Sequence, residues 1–187
     1  MSNTLIHAYP ATSAEILNYI KDVFEIKNDA QLADFLGVTR TSVHTLRQEG
    51  RLLGKKIRLV LMEKISFLGI TNWRERLSIH YLKSSLEHSR LKVDLLPNKT
   101  QESDFLNLLK VFYKCETDLE LSEHLDLKAN TLSMFRVGRT TLGPLPLLKV
   151  LCEIENLPFQ KIRSMLISNS MLEEQLVAFA KVKKQAR

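Results

Sequence analysis

The sequence predicts an all-α protein that consists of two similar domains in tandem. Apolar residues recur at helical spacing, as at Ile16, Leu17 and Ile20, and again at Leu106 and Leu109, whereas strand-like alternation is absent. The chain has 187 residues, of which 44% are hydrophobic, which is enough for one or two small domains with buried cores.

An internal repeat divides the chain into two halves. A shift of 89 positions aligns residues 16–77 with residues 105–166 without a gap. The identical pairs include Asn18 and Asn107, Lys21 and Lys110, Asp29 and Asp118, Arg47 and Arg136, and Gly54 and Gly143. This pattern indicates a duplicated domain, and the alternative is a pair of generic amphipathic helical bundles.

Each half is expected to contain five helices. In the first half they lie near residues 13–26, 29–36, 40–48, 55–68 and 72–89. In the second half they lie near residues 102–114, 118–125, 129–137, 144–155 and 158–168, before a last helix near 170–185. Ser13 and Ser103 are candidate helix starts. The predicted domains are residues 1–92 and 102–187, joined by a linker at 93–101 that contains Pro97 and Asn98.

Charge and composition narrow the classes of function. The net charge of +6 favours an acidic partner, with nucleic acid first and an anionic membrane surface second. Cys115 and Cys152 are too few for a disulfide framework and too isolated for a zinc site. The sequence has neither a transmembrane stretch nor a signal peptide, so we expect a cytoplasmic protein without membrane contact. We expect no metal, cofactor or catalytic residue, because no constellation of ligating or reactive side chains is visible.

The segment from Gln31 to Gln48 has the residues that two short helices need when a tight turn joins them. Ala33 is small where the helices cross, Gly37 tolerates a positive φ in the turn, and Thr39 can cap the second helix. Five apolar side chains then point inward: Leu32, Leu36, Val38, Val43 and Leu46. The polar positions of the second helix are Arg40, Thr41, Ser42, His44, Thr45, Arg47 and Gln48.

This segment resembles the phage-repressor family of helix-turn-helix proteins, which have the lambda-repressor-like fold. The residues in common are Gln31, Ala33, Gly37, Val43 and Leu46, and five helices per domain agree with the family. The resemblance implies a recognition helix at residues 40–48 that enters the major groove of double-stranded DNA by its N-terminal end. It also implies that Gln31 touches phosphate or supports a base contact.

Within this reading the polar side chains divide into two groups. We expect base contacts from Arg40, Thr41, His44 and Thr45, because hydrogen-bonding side chains read the major groove. We expect phosphate contacts from Arg47, Arg51, Lys55 and Lys56.

The second copy of the motif departs from the family pattern. Ser122 replaces Ala33, Phe135 replaces Leu46, and Asp126 replaces Gly37 although Asp tolerates a positive φ less well. We expect the same fold there, with a helix that reads bases, holds phosphate or docks a partner. Its candidate contacts are Lys128, Asn130, Thr131, Ser133, Arg136 and Arg139.

Basic residues gather after the turn in both copies. Between Arg40 and Lys64 there are seven basic and two acidic residues. Between Lys128 and Lys149 there are four basic residues and no acidic one. This distribution predicts phosphate contact and salt-dependent affinity, and the alternative is a solvated basic face.

Two functions remain open. The first is a sequence-specific bacterial or phage transcriptional regulator whose two motifs read two half-sites. The second is a protein–protein interaction module, of the anti-activator or antitoxin-like kind, that kept the fold without base readout. The apolar surface of the fifth and C-terminal helices, which includes Leu77, Leu82, Leu86, Leu172 and Leu176, predicts either packing within the chain or a homodimer contact.

Overall fold

The structure is a computed structural model that describes residues 12–48, 52–88 and 100–186. Within these ranges it contains twelve α-helices, one short 3-10 helix and no strand. The all-α prediction is therefore confirmed. None of the described helices is both long and apolar enough to cross a membrane.

The helices follow the predicted order. The first half has α1 (Ser13–Phe24), α2 (Asp29–Leu36), α3 (Arg40–Gln48), α4 (Lys55–Lys64), η1 (Phe67–Gly69), α5 (Trp73–Arg76) and α6 (Ile79–His88). The second half has α7 (Gln101–Tyr113), α8 (Asp118–His124), α9 (Ala129–Arg136), α10 (Pro144–Glu155), α11 (Phe159–Ile167) and α12 (Asn169–Gln185). The predicted fifth helix at 72–89 is two helices, α5 and α6, with Leu77 and Ser78 between them.

In both repeats a threonine caps the N-terminus of the first described helix, one residue or more before the predicted helix start. The Thr12 hydroxyl accepts a hydrogen bond from the Glu15 amide (3.3 Å), and the Glu15 carboxylate accepts one from the Thr12 amide (2.7 Å). Thr100 accepts a hydrogen bond from the Ser103 amide (3.2 Å). The predicted starts Ser13 and Ser103 therefore lie within the first turns, because an earlier hydroxyl already satisfies the free backbone donors.

The chain folds into two compact units that do not coincide with the two repeats. Unit 1 comprises Met1–Trp73 and Gln160–Arg187, and unit 2 comprises Arg74–Phe159. These bounds differ from the predicted domains at 1–92 and 102–187. Residues 93–99 of the predicted linker lie outside the described residues, and Thr100 and Gln101 begin α7.

The difference arises because the repeats exchange their terminal helices. Helix α6 belongs to the first repeat but packs against α7 and α10 in unit 2. Helix α12 belongs to the second repeat but packs against α1 in unit 1. The offset of 89 positions makes α5 and α6 the counterparts of α11 and α12. Each unit therefore joins the first helices of one repeat to the terminal helices of the other.

The exchanged helices supply buried core residues to the units that receive them. In unit 1, Leu172 and Leu176 of α12 are fully buried, and the Phe179 ring stacks on Phe24 of α1 with ring centroids 5.5 Å apart. In unit 2, Leu82 of α6 is fully buried. The apolar surface that suggested a homodimer is thus covered within the chain.

A buried arginine on α4 forms hydrogen bonds to the terminal helices α11 and α12 of unit 1 and to the segment between them. The Arg58 side chain on α4 is 0% exposed, and its Nε donates to the Leu53 carbonyl (2.8 Å). Its Nη1 donates to the carbonyls of Met165 (3.1 Å) and Ser168 (2.8 Å), and its Nη2 donates to Oδ1 of Asn169. Burial lowers the pKa of Arg58 to about 10, so the guanidinium stays charged at neutral pH. The sequence prediction had counted Arg58 among the bases around the first recognition helix.

In unit 2, different polar contacts join α10, the counterpart of α4, to the terminal helices α5 and α6. Leu147 occupies the position of Arg58 in the second repeat. The Tyr81 hydroxyl on α6 instead donates to Glu155 of α10 (2.7 Å), and Arg76 forms an ion pair with the same carboxylate (3.0 Å). The polar contacts that join each unit to its terminal helices therefore differ between the two units.

Candidate nucleic-acid interface

Helices α2 and α3 form the turn that the sequence predicted. Gly37 has φ +65°, and the amide of Val38 donates to the carbonyl of Ala33 (3.0 Å), which closes the end of α2. Ala33 is buried at 3% exposure. The Thr39 hydroxyl accepts a hydrogen bond from the Ser42 amide (3.1 Å) and so caps α3 as predicted.

Helices α8 and α9 have the same turn despite the missing glycine. Asp126 adopts φ +55°, and the Leu127 amide donates to the Ser122 carbonyl (2.8 Å). Asp is one of the few residues other than Gly that adopt this left-handed conformation. Lys128 precedes α9 without a side-chain cap. The turn geometry of the first copy is therefore present in the second.

The solvent-facing side of α3 carries polar groups that the protein does not use. Arg40, Thr41, His44 and Gln48 are exposed, while Val43 on the opposite side is fully buried. Within the described residues, these four side chains form no hydrogen bond or ion pair. Their donors and acceptors are therefore free to meet an outside partner. Ser42 and Thr45 are half-buried.

Arg47 differs from its neighbours on α3 because its side chain forms hydrogen bonds to α1 and α2. Its Nε and Nη2 donate to the two carboxylate oxygens of Asp29 (3.0 and 2.9 Å), and its Nη1 donates to Asn18 (2.6 Å). Lys21 also lies 3.3 Å from the Asp29 carboxylate. Three guanidinium donors of this predicted DNA contact are thus already used between α1, α2 and α3.

Arg136 repeats this arrangement in unit 2. Its Nε and Nη2 donate to Asp118 (2.9 and 2.6 Å), and its Nη1 donates to Asn107 (3.1 Å) and Ser103 (3.0 Å). The identical residues of the two repeats therefore form the framework that positions α3 and α9. Sequence reasoning placed both arginines among the DNA contacts and missed this framework.

The Arg47–Asp29 pair predicts a pH-dependent contribution to stability. The hydrogen bond from Arg47 is the largest cause that lowers the pKa of Asp29. A carboxylate whose pKa is lower in the folded state stabilises the protein above its unfolded pKa of about 3.9, and this contribution is lost as the pH falls below that value. Asp29→Asn should lower the free energy of unfolding by about 1 kcal/mol near pH 6, with a smaller difference near pH 3. Urea unfolding across this range tests it.

The exposed Asp34 on the same helix provides the control, since Asp34→Asn removes a carboxylate that has no described partner. The prediction would be contradicted if the free energy of unfolding of Asp29→Asn differed from that of the wild type by the same amount near pH 6 and near pH 3.

The bases predicted to contact phosphate lie in different places. Lys55 and Lys56 are exposed at the start of α4, after Gly54, which provides no side-chain cap. Lys64 lies over the Phe35 ring, with its Nζ 5.3 Å from the ring centroid. Arg51 lies outside the described residues.

Gln31 is exposed and also has a local structural role. Its Oε1 accepts a hydrogen bond from the backbone amide of Lys27 (3.0 Å). The backbone amide of Gln31 donates to Oδ1 of Asn28 (2.9 Å). The side chain thus helps to form the start of α2, where the sequence prediction placed a phosphate or base contact.

Fewer bases are free in the second copy than the sequence suggested. Lys128 and Arg139 are exposed, but Lys149 donates to the His124 carbonyl and Arg136 is bonded within unit 2. The polar candidates on α9 are the exposed Asn130 and Ser133 and the half-buried Thr131.

No family model, curated protein or solved structure matches the chain. Over the described residues the fold is all-helical, and tight turns with a positive φ at Gly37 and Asp126 follow α2 and α8. In the described part of the chain, no group of three His, Cys, Asp or Glu side chains is placed to hold a metal ion.

Proposed function

We propose that the chain binds double-stranded DNA as a sequence-specific transcriptional regulator, with the exposed face of α3 in the major groove. The main support is that Arg40, Thr41 and His44 are exposed and have no described partner, on a helix whose other face is buried. A lambda-repressor-like fold for each unit belongs to the same proposal, and it is supported by the tight turns at Gly37 and Asp126.

The chemistry of α3 suits base readout. Arg40 is the first residue of the helix, and in this docking geometry the N-terminal residues reach the base edges. Its guanidinium can donate two hydrogen bonds to O6 and N7 of guanine, while Thr41 can contact a thymine methyl group.

The start of α4 suits phosphate contact. Lys55 and Lys56 bring positive side chains to a helix N-terminus, where free backbone amides and the helix dipole also favour an anion. These contacts would position the protein on DNA without reading its sequence.

Replacement of Arg40 tests the base-reading role. On a duplex selected from a random pool, Arg40→Ala should raise Kd by about five- to 150-fold, equivalent to about 1–3 kcal/mol, and relax the preference at one base pair. Fluorescence anisotropy measures Kd, and a second selection with the variant measures the preference. The matched control is Arg163→Ala, which removes the same charge from an exposed position on α11. Equal losses for both variants would show that only net charge matters.

Replacement of Lys55 tests the phosphate contact. Lys55→Ala should weaken binding to selected and unrelated duplexes by the same factor, and it should reduce the slope of log K against log salt concentration by about one. Titrations at several salt concentrations measure that slope. A loss confined to the selected sequence would instead place Lys55 at a base.

A protein interaction module is the second candidate, and exposed apolar residues in unit 2 favour it. Leu119 and Val137 are 58% and 57% exposed, and each follows a member of the Asp118–Arg136 pair in the sequence. Apolar side chains at such positions are more typical of protein contacts than of a DNA interface. Failure to bind any random duplex even at low salt would support this candidate over the first.

A further inference from the structure

The exposed bases of the unit 1 interface have neutral counterparts in unit 2. At the offset of 89 positions, Ala129 replaces Arg40, Pro144 replaces Lys55, and Leu145 replaces Lys56. The turn geometry and the framework arginine are the same in both units. The two motifs therefore share a scaffold, but the exposed bases among the candidate contacts of unit 2, Lys128 and Arg139, lie at other positions than Arg40, Lys55 and Lys56.

The exposed residues on the first helix of the unit 2 motif, and just before and after it, are acidic. Glu116, Glu120, Glu123 and Asp126 are all exposed, at the positions of Lys27, Gln31, Asp34 and Gly37. The local geometry is matched, since the Glu116 amide donates to the Glu120 carboxylate (2.7 Å) as the Lys27 amide does to Gln31 (3.0 Å). That hydrogen bond lowers the pKa of the Glu120 carboxyl from its ordinary value.

The matched segments consequently have opposite net charges. Residues 27–48 contain three bases and two acids, a net charge of +1, whereas residues 116–137 contain two bases and five acids, a net charge of −3. Over their described residues, unit 1 has 13 bases and 8 acids, and unit 2 has 9 bases and 11 acids.

We infer that only the unit 1 motif enters DNA, and that carboxylates on α8 and at its two ends keep the unit 2 motif away from the phosphates. This inference rests on the proposed function. In helix-turn-helix docking the first helix of the motif crosses the DNA backbone, so Glu120 on α8 and Glu116 just before it would face phosphate groups and be repelled. The DNA site is then a single half-site, read by Arg40 and its neighbours, rather than two half-sites read by a pseudo-dimer.

Substitutions in the full chain test this inference on the duplex selected for the proposed function. Lys128→Ala and Asn130→Ala should each change Kd by less than about twofold, and the selected sequences should contain one half-site. The double variant Glu116→Lys, Glu120→Gln introduces the residues of unit 1 and keeps an oxygen that can accept the capping hydrogen bond. It should tighten binding by about tenfold or more on a longer duplex and steepen the salt slope by about one.

A control variant separates position from net charge. Glu75→Lys changes the charge of unit 2 by the same amount as Glu116→Lys, at an exposed position on α5. Tightening of equal size in Glu75→Lys and in the single variant Glu116→Lys would overturn the inference, as would a double variant that binds no more tightly than the wild type.

The remaining outcomes distinguish the two proposals. If Asn130→Ala or Lys128→Ala weakens binding as strongly as Arg40→Ala does, or if the selected sites contain two half-sites, unit 2 reads DNA and this inference is wrong. If no duplex binds, or if Arg40→Ala leaves Kd unchanged, the proposed function itself has failed.

Discussion

Deletion of residues 160–187 is expected to unfold unit 1, which contains the first helix-turn-helix segment, and to leave unit 2 folded. The deleted helices supply Ile162, Met165, Leu166, Leu172 and Leu176 to the core, all at most 1% exposed. At about 1.5–3 kcal/mol for each buried side chain, their loss removes roughly 8–15 kcal/mol. This is comparable to the whole stability of a typical domain, which is about 5–15 kcal/mol.

The single tryptophan makes this result easy to observe. Trp73 is the only tryptophan in the chain, is fully buried, and belongs to unit 1. Its fluorescence should shift to longer wavelength in the deletion variant, and the amides of α3 should lose protection from hydrogen exchange while those of α9 keep it. The opposite pattern, with α9 unprotected and α3 protected, would show that the domains follow the repeats at 1–92 and 102–187.

Arg58→Leu is expected to destabilise unit 1 by about 3–5 kcal/mol. Three backbone carbonyls and the Asn169 side chain would lose a hydrogen bond from the guanidinium, while the Ser168 carbonyl keeps the one from the Leu172 amide (3.3 Å). A buried acceptor left without a partner costs about 1–3 kcal/mol. Leucine is the residue that the second repeat has at this position, so the change is compatible with a helical core. Urea unfolding followed by Trp73 fluorescence gives the free energy.

The control for Arg58→Leu is Lys56→Leu on the same helix, where the side chain is exposed and the expected change is within about 0.5 kcal/mol. A loss below about 1 kcal/mol in Arg58→Leu would mean that the buried hydrogen bonds contribute little to holding α11 and α12 on unit 1.

The sequence was sufficient to predict the helices and the turns, because those features depend on local chemistry. Helical periodicity located the elements, and Gly37 and Thr39 have the conformation and the cap that were expected. The exchange of terminal helices was not predictable in this way. Both repeats present the same apolar pattern, so periodicity does not say which helices pack together, and the decisive contact joins Arg58 to Asn169, 111 residues away.

The candidate site shows the same division between local and tertiary information. The exposure of Arg40, Thr41 and His44 follows from their positions on an amphipathic helix. The roles of Arg47 and Arg58 depend on partners from other helices, and basic character alone suggested a surface location for both. One signal was present for Arg47, since an acid, an amide and an arginine are all identical at the same offset in the second repeat.

The exchange of helices also sets the order in which the chain can fold as it is synthesised. Unit 2 is continuous from Arg74 to Phe159 and can form as soon as those residues have left the ribosome. Unit 1 begins earlier in the chain but must wait for Gln160–Arg187, so its first segment remains incomplete while unit 2 folds. The surface proposed to bind DNA would therefore form later than unit 2, and a nascent chain could not occupy its target before Gln160–Arg187 has left the ribosome.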